Sequence, residues 1–306
     1  MGAEVNFSNH IEIAKRSVEN GAIKMIGYRE LSDDLIEQIA GNPLIQRIQI
    51  SEPLPDEAYD RIDRILYQRP DLRFRIYGLH GTDRFDLSVL KKMEHLTGIW
   101  LDFSVKDRPE LVDLTALCGL PGLQFVQLHV FDWRDYSFLK ELPESLKELV
   151  LSADTASGGI CFDCNWLLRY PRLYSLYLGK KARKHIEAIG RLPDLKEVTF
   201  QGIKLNDFLF MKELNLEQLR LRWCANSELG QLGEFTSLKH LELWRIMKLT
   251  DISFISRLVN LETLSLIDLK HISRLPDLSQ LKKLRDIRLE NVPIVSKQAN
   301  GGMKNE

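Results

Sequence analysis

The chain has no apolar run approaching the roughly 20 residues that a membrane-crossing helix needs. Its first stretch, MGAEVNFSNHIEIAKRS, lacks the apolar segment of a secretory signal. Gly2 is followed by Asn6 at the place where an N-myristoylation motif wants Ser or Thr. Cysteine is scarce, four in 306 residues, with no cysteine-rich flanks to form disulfide caps. Together these absences predict a cytoplasmic protein with no membrane attachment. Charge of one sign is lacking as well: 42 Lys and Arg against 43 Asp and Glu leave a net −1, so no overall field draws nucleic acid or an anionic bilayer. Nor is there a Walker-type phosphate loop, a kinase or zincin signature, or a Ser or Cys in an elbow-like context.

What the chain has in quantity is one phrase, an apolar residue, two others, an apolar residue, one other, an apolar residue. It begins at Leu96, Leu123, Leu146, Leu173, Leu195, Leu216, Leu238, Leu261 and Leu284. Two degenerate copies precede these, Ile45/Ile48/Ile50 and Leu72/Phe74/Ile76. Nine copies in one register, 21 to 27 residues apart, resemble the strand signature of the leucine-rich repeat proteins. The resemblance implies an α/β right-handed solenoid with a parallel sheet on a concave face. It also implies that the chain is a binding surface, and its nearest likeness is to the short-repeat class of phosphatase-regulating and internalin-like proteins. One departure stands out. The family usually places Asn three residues after the last strand leucine, whereas the final four units carry Cys224, Ile246, Leu269 and Val292 there. Apolar packing is therefore expected to hold these turns.

Three segments follow from the pattern: a helical N-terminal cap and first degenerate unit at 1–43, an array of about 11 units at 44–292, and a disordered tail at 293–306. Asn9 to Glu12 has capping-box form, and Ile11, Ala14 and Val18 fall on one helical face, which predicts a helix ending at Asn20-Gly21. Ile23 to Ile26 reads as a strand, and Ser32 as the N-cap of a helix over 33–40. A second helix is expected after Pro55. From Leu238 the convex side changes to apolar residues at every third position, which suits 3₁₀-like turns. Pro293, just past the last strand, removes a backbone donor and blunts that edge.

Residues alternating with the strand leucines point to the concave face. Read across the array they give candidate partner-binding residues Arg73, Arg75, Tyr77, Trp100, Asp102, Phe125, His129, Tyr177, Arg220, Arg222, His240, Glu242 and Trp244, with Trp223 and Arg245 at the rim. Three of the five tryptophans fall in or beside this row, and Trp, Tyr and Arg are the residue types that dominate binding hot spots. The expected partner is a folded protein, bound by a non-enzymatic inhibitor of immunity type or by a regulatory subunit. No F-box precedes the repeats to suggest a ubiquitin adaptor. Arg interleaved with aromatics also suits single-stranded nucleic acid, but Asp102, Glu148, Glu197, Glu242 and Glu290 on the same face repel phosphate. Asp102 and His129 occupy equivalent places in adjacent units, so an Asp–His pair serving an enzyme or small-ligand site is the alternative; no nucleophile accompanies it. Cys161 and Cys164 form a lone CxxC, read as two half-buried thiols anchoring the enlarged loop 153–159 rather than as metal ligands. No cofactor is expected.

Overall fold

The computed structural model describes residues 9–20, 23–78, 85–106 and 108–294, so the tail beyond Ile294 lies outside the described residues. The chain divides into two compact units, Met1–Phe162 and Asp163–Glu306.

In the first unit eight strands make one sheet: β1 His10–Ala14, β2 Val18–Asn20, β3 Ile23–Gly27, β4 Arg47–Ile50, β5 Arg73–Tyr77, β6 Gly98–Ser104, β7 Phe125–Phe131 and β8 Glu148–Leu151. From β4 to β8 each strand lies parallel to the next, as repeating units require. The N-terminal end differs. β1 is parallel to both β3 and β4 and lies between them, while β2 folds back antiparallel on β3. The helix expected over 9–20 is therefore absent, replaced by two strands. His10-Ile-Glu-Ile-Ala14 alternates polar with β-branched residues, and two flanking strands satisfy its backbone; Ile11 and Ile13 are buried. Tertiary pairing overrides the local capping pattern.

Helix α1, Asp33–Ala40, carries the chain from β3 past β1 to β4, with the Ser32 hydroxyl accepting from Leu35 N at 3.3 Å. Gly41 ends it in ordinary right-handed geometry. Helix α2, Asp56–Gln68, follows Pro55 and buries Ala58, Ile62, Ile65 and Leu66. From Leu87 onward every helical segment is a 3₁₀ turn, so the change from α to 3₁₀ comes much earlier than Leu238. The cause was already in the spacing: Leu87/Leu90/Met93 and Leu114/Leu117/Leu120 bury residues at every third position, as Leu229/Leu232/Phe235 do later.

The second unit holds β9 Ser175–Gly179, β10 Glu197–Gln201, β11 Gln218–Arg222, β12 His240–Trp244, β13 Thr263–Ile267 and β14 Asp286–Glu290, all parallel neighbours in chain order. Their leucines are buried except in β14, where Ile287 and Leu289 stay half-buried because no described strand follows.

Two backbone devices recur in the connections between strands. An aspartate at the entry of many of the turns accepts the amide two residues on: Asp86, Asp113 and Asp135 at 2.9 Å, Asp207 and Asp251 at 2.8 Å. The residue just after most strands then adopts positive φ, from Gly78 at 57° and Gly202 at 67° to Trp223 at 54° and Arg245 at 52°. Its N–H donates to the last carbonyl of the next strand, as in Gly202 N to Arg222 O (2.8 Å) and Trp223 N to Trp244 O (2.8 Å). Of the four residues found in place of Asn, Cys224, Ile246 and Leu269 are buried behind these turns, whereas Val292 is half-buried. Among the described residues no helix is long and apolar enough to cross a membrane.

Candidate interaction surface

Strand register sets the first cluster. Arg75 of β5 stands opposite Gln49 of β4 and Trp100 of β6, and Tyr77 stands opposite Asp102, which in turn faces His129 of β7. The Arg75 guanidinium lies 4.2 Å from the Trp100 ring centroid and 4.6 Å from that of Tyr77, and it pairs with the Asp102 carboxylate. Arg47 stacks on the same indole at 5.0 Å. Beside it Arg73 lies 5.0 Å from the Phe125 ring centroid and reaches Glu148 at 2.5 Å. Such stacks contribute from about 0.5 kcal/mol when exposed to about 2 kcal/mol when desolvated. Among the described residues the Arg75 Nε and Trp100 Nε1 atoms are buried without hydrogen-bond partners, while the other guanidinium nitrogens reach Asp102 and Gln49.

Beside the cluster, in the same row of the sheet, sits Glu12 of β1, buried at 7% exposure. It accepts from Gln49 Nε2 at 3.1 Å, Ser51 Oγ at 2.9 Å and Tyr77 OH at 2.7 Å. Burial first, then the bond to this carboxylate, raise the Tyr77 pKa and keep the phenol as a donor. Sequence reasoning assigned Glu12 to a cap helix and missed it; the alternation of β1 was the signal.

His129 bonds the Gln127 amide at 3.1 Å, with its ring 5.9 Å from Trp100. The Asp102 carboxylate of the imagined dyad is taken up by Arg75. Burial lowers the His129 pKa, against the pull of Asp102 and Asp154 and with help from Arg75. Since the folded pKa lies below the unfolded one, this histidine contributes stability that is complete above about pH 6.5 and is lost as pH falls through the folded value. The denaturant midpoint is therefore expected to drop between pH 7.5 and pH 5. His129→Gln should shrink that drop without removing it, because His10 is shifted in the same direction, chiefly by burial. A His129→Gln protein with the full wild-type drop would refute this assignment.

The second unit has its own cluster. Arg222, last in β11, is in register with Trp244, last in β12; its Nε donates to Glu242 at 2.6 Å and its guanidinium lies 5.6 Å from the Trp244 centroid. Trp223 packs its ring 5.4 Å from Trp244, and Arg220 Nε stands 4.0 Å from Glu242. His240 turns to Thr263 at 2.9 Å. Tyr177 is not part of this group: it is two strands away from Arg220 in register and donates to Gln201. Trp223 and Arg245, with Cys224, Ala225, Met247 and Lys248, border an open pocket of about 440 Å³ that sequence reasoning did not foresee.

The CxxC reading needs correction. Cys161 is exposed, whereas Cys164 is fully buried, its thiol pushed up to about 12 by burial and by the charges of Asp163 and Glu187. Two half-buried thiols do not anchor the loop. Asp132 does, its carboxylate accepting from Ala156 N at 3.0 Å and from Arg134 at 2.9 Å, its N–H donating to Asp154 O at 2.8 Å. The histidine nearest these thiols in the sequence, His185, bonds Asp163 at 2.8 Å. Among the described residues no group of three His, Cys, Asp or Glu is placed to hold a metal.

No protein-family model and no curated protein sequence matches the chain. Solved structures resemble it. An internalin from Listeria monocytogenes is 18% identical, over 85% of this chain and 82% of that one, with a TM-score of 0.48. A leucine-rich repeat protein from Leptospira interrogans is 16% identical over 88% and 83%, with a TM-score of 0.47. A chain of the mouse RP105/MD-1 complex is 19% identical over 86% of this chain, with a TM-score of 0.50, and this chain spans 48% of its length. The repeat phrase, the parallel strands it forms and their buried leucines, with this likeness to RP105, give the chain the leucine-rich repeat fold.

Proposed function

We propose that the chain is a non-enzymatic protein-interaction module that binds a folded protein on the exposed, concave strand face, as an immunity-type inhibitor or a regulatory subunit. One observation carries this reading: in each unit, arginines stack on indole rings at strand positions that point away from the core. Rigid aromatic area with satisfied charge beside it is the composition of a hot spot. Fold-level analogy agrees, since RP105 is seen in complex with MD-1. A cytoplasmic setting suits the four cysteines, which are all free thiols.

The test is a pull-down with the purified chain from lysate of the cells that make it. Wild type should recover one stoichiometric partner, and a Trp100→Ala/Trp244→Ala double variant should lose it. Each truncation is expected to weaken affinity by on the order of 30-fold, a hot-spot effect of about 2 kcal/mol. Recovery unchanged by both substitutions would move binding off this face and sink the residue assignment.

A further inference from the structure

The left-handed position that follows most of the strands suits small residues best. Gly78 and Gly202 occupy it at φ 57° and 67°, and Asp268 and Asn291 at 52°. A residue without a Cβ, or with a short polar side chain, adopts this conformation at little cost, whereas a bulky side chain there is a strained outlier. Three turns carry a long or bulky side chain there instead, Lys180 at 30°, Trp223 at 54° and Arg245 at 52°. Burial does not repay Trp223 for the strain, because it is 43% exposed. Strain held at an exposed aromatic residue points to use rather than to folding.

The surroundings say what such a use would be. Trp223 rests against Trp244 at 5.4 Å, and the pocket beside it has Met247, 40% exposed, on one side and the buried Cys224 behind. About 440 Å³ of space falls in the size range of sites that take a small ligand or a side chain. The rim is basic. Arg245 and Lys248 both border the opening; among the described residues neither is in ion-pair contact with a carboxylate, although the Arg245 charge is felt by Asp268. The nearby carboxylates are engaged: Glu242 by Arg222 at 2.6 Å, and Asp268 by Asn291 at 2.9 Å and Trp244 Nε1 at 3.3 Å. An apolar floor under unpaired cations is complementary to an apolar side chain flanked by acids.

Resting on the protein-binding reading above, we infer that this pocket seats an aromatic or leucine side chain from an acidic segment of the protein partner. The segment's carboxylates meet Arg245 and Lys248 while its apolar side chain lies against Trp223 and Met247. Trp223 is the anchor on this side, held in a strained turn so that its ring stands clear of the core.

Fluorescein-labelled pentapeptides titrated into the purified full chain, read by anisotropy, test the pocket. A peptide with Phe between two pairs of Glu should bind saturably. Replacing Phe by Ala, or the four Glu by Lys, should each weaken binding at least tenfold. Trp223→Gly should abolish it and melt no lower than wild type, because Gly suits the positive φ. Arg245→Glu/Lys248→Glu should reverse the preference between the Glu and Lys peptides. Equal binding of all three peptides, no binding of any, or full binding by Trp223→Gly would overturn the inference. So would a Trp223→Gly protein melting several degrees lower, which would make Trp223 a folding residue, or wild-type self-association lost in Trp223→Gly, which would give the pocket to a second copy. Failure of the two readings is distinguishable: a partner recovered through Trp100 and Trp244 with no peptide bound sinks the pocket alone. Peptide binding with no partner recovered sinks the larger reading alone.

Discussion

Gly190→Ala is expected to destabilise the second unit by about 3 kcal/mol, at the upper end of what overpacking a core normally costs. Gly190 lies in the 3₁₀ turn Ile186–Arg191, and the next turn, Leu209–Met211, passes close over it. A Cβ built at residue 190 would stand 1.9 Å from the Phe210 carbonyl oxygen and 2.9 Å from its carbon. Those are backbone atoms, so no rotamer change relieves the clash. The two turns would have to separate, and Ile189 and Met211, both fully buried, would lose their packing. For a domain of this size the melting temperature should fall by roughly 6–12 °C. Gly230→Ala is the matched control: nothing lies within 4 Å of its Cβ, and the change should stay within about 0.5 kcal/mol. Gly233→Ala meets only the Arg257 side chain, which can swing aside, and should also be mild. Equal melting of the Gly190 and Gly230 variants would mean that adjacent turns are not held at fixed spacing.

The contrast among these glycines marks what the sequence could and could not disclose. Strands β4 to β14 were legible because a fixed phrase places leucine on one side of each, and period-two alternation then names the residues on the other. Helix α1 was legible from Ser32 and α2 from Pro55, since caps act locally. β1 was not, because its pattern fits a capping box as well as a strand, and only pairing with β3 and β4 decides. The 3₁₀ turns from Leu87 were misplaced because their triplets were recognised only where they repeat most regularly. Within the site, single residues could be read from the row, but their pairing could not. Arg73 meets Glu148, 75 residues on, and Glu12 meets Tyr77, 65 residues on, and no local rule joins such partners. The pocket at Trp223 was hidden for another reason. It depends on a positive φ whose occupants, from Gly to Trp, share no residue type.

Glu12→Ala should cost about 3 kcal/mol of stability and weaken partner binding, although Glu12 is itself buried. Gln49, 4% exposed, loses the acceptor of its amide, and Ser51 and Tyr77 lose theirs. A buried donor left without a partner costs about 1–3 kcal/mol, and water repays part of this at the half-exposed hydroxyls. Binding should fall for a different reason. Tyr77 lies under the Arg75 guanidinium at 4.6 Å, and Arg75 in turn lies 4.2 Å from Trp100, so freeing the phenol loosens the stack that presents the indole. Glu12→Gln separates the two effects. Its carbonyl can still accept from Tyr77, whereas its amide group opposes the amide of Gln49. It should therefore lose stability while keeping most of the affinity. If Glu12→Ala melted like wild type, the buried carboxylate would not be the keystone of the first cluster. If it melted low yet bound the partner fully, the orientation of Tyr77 and Arg75 would be irrelevant to recognition.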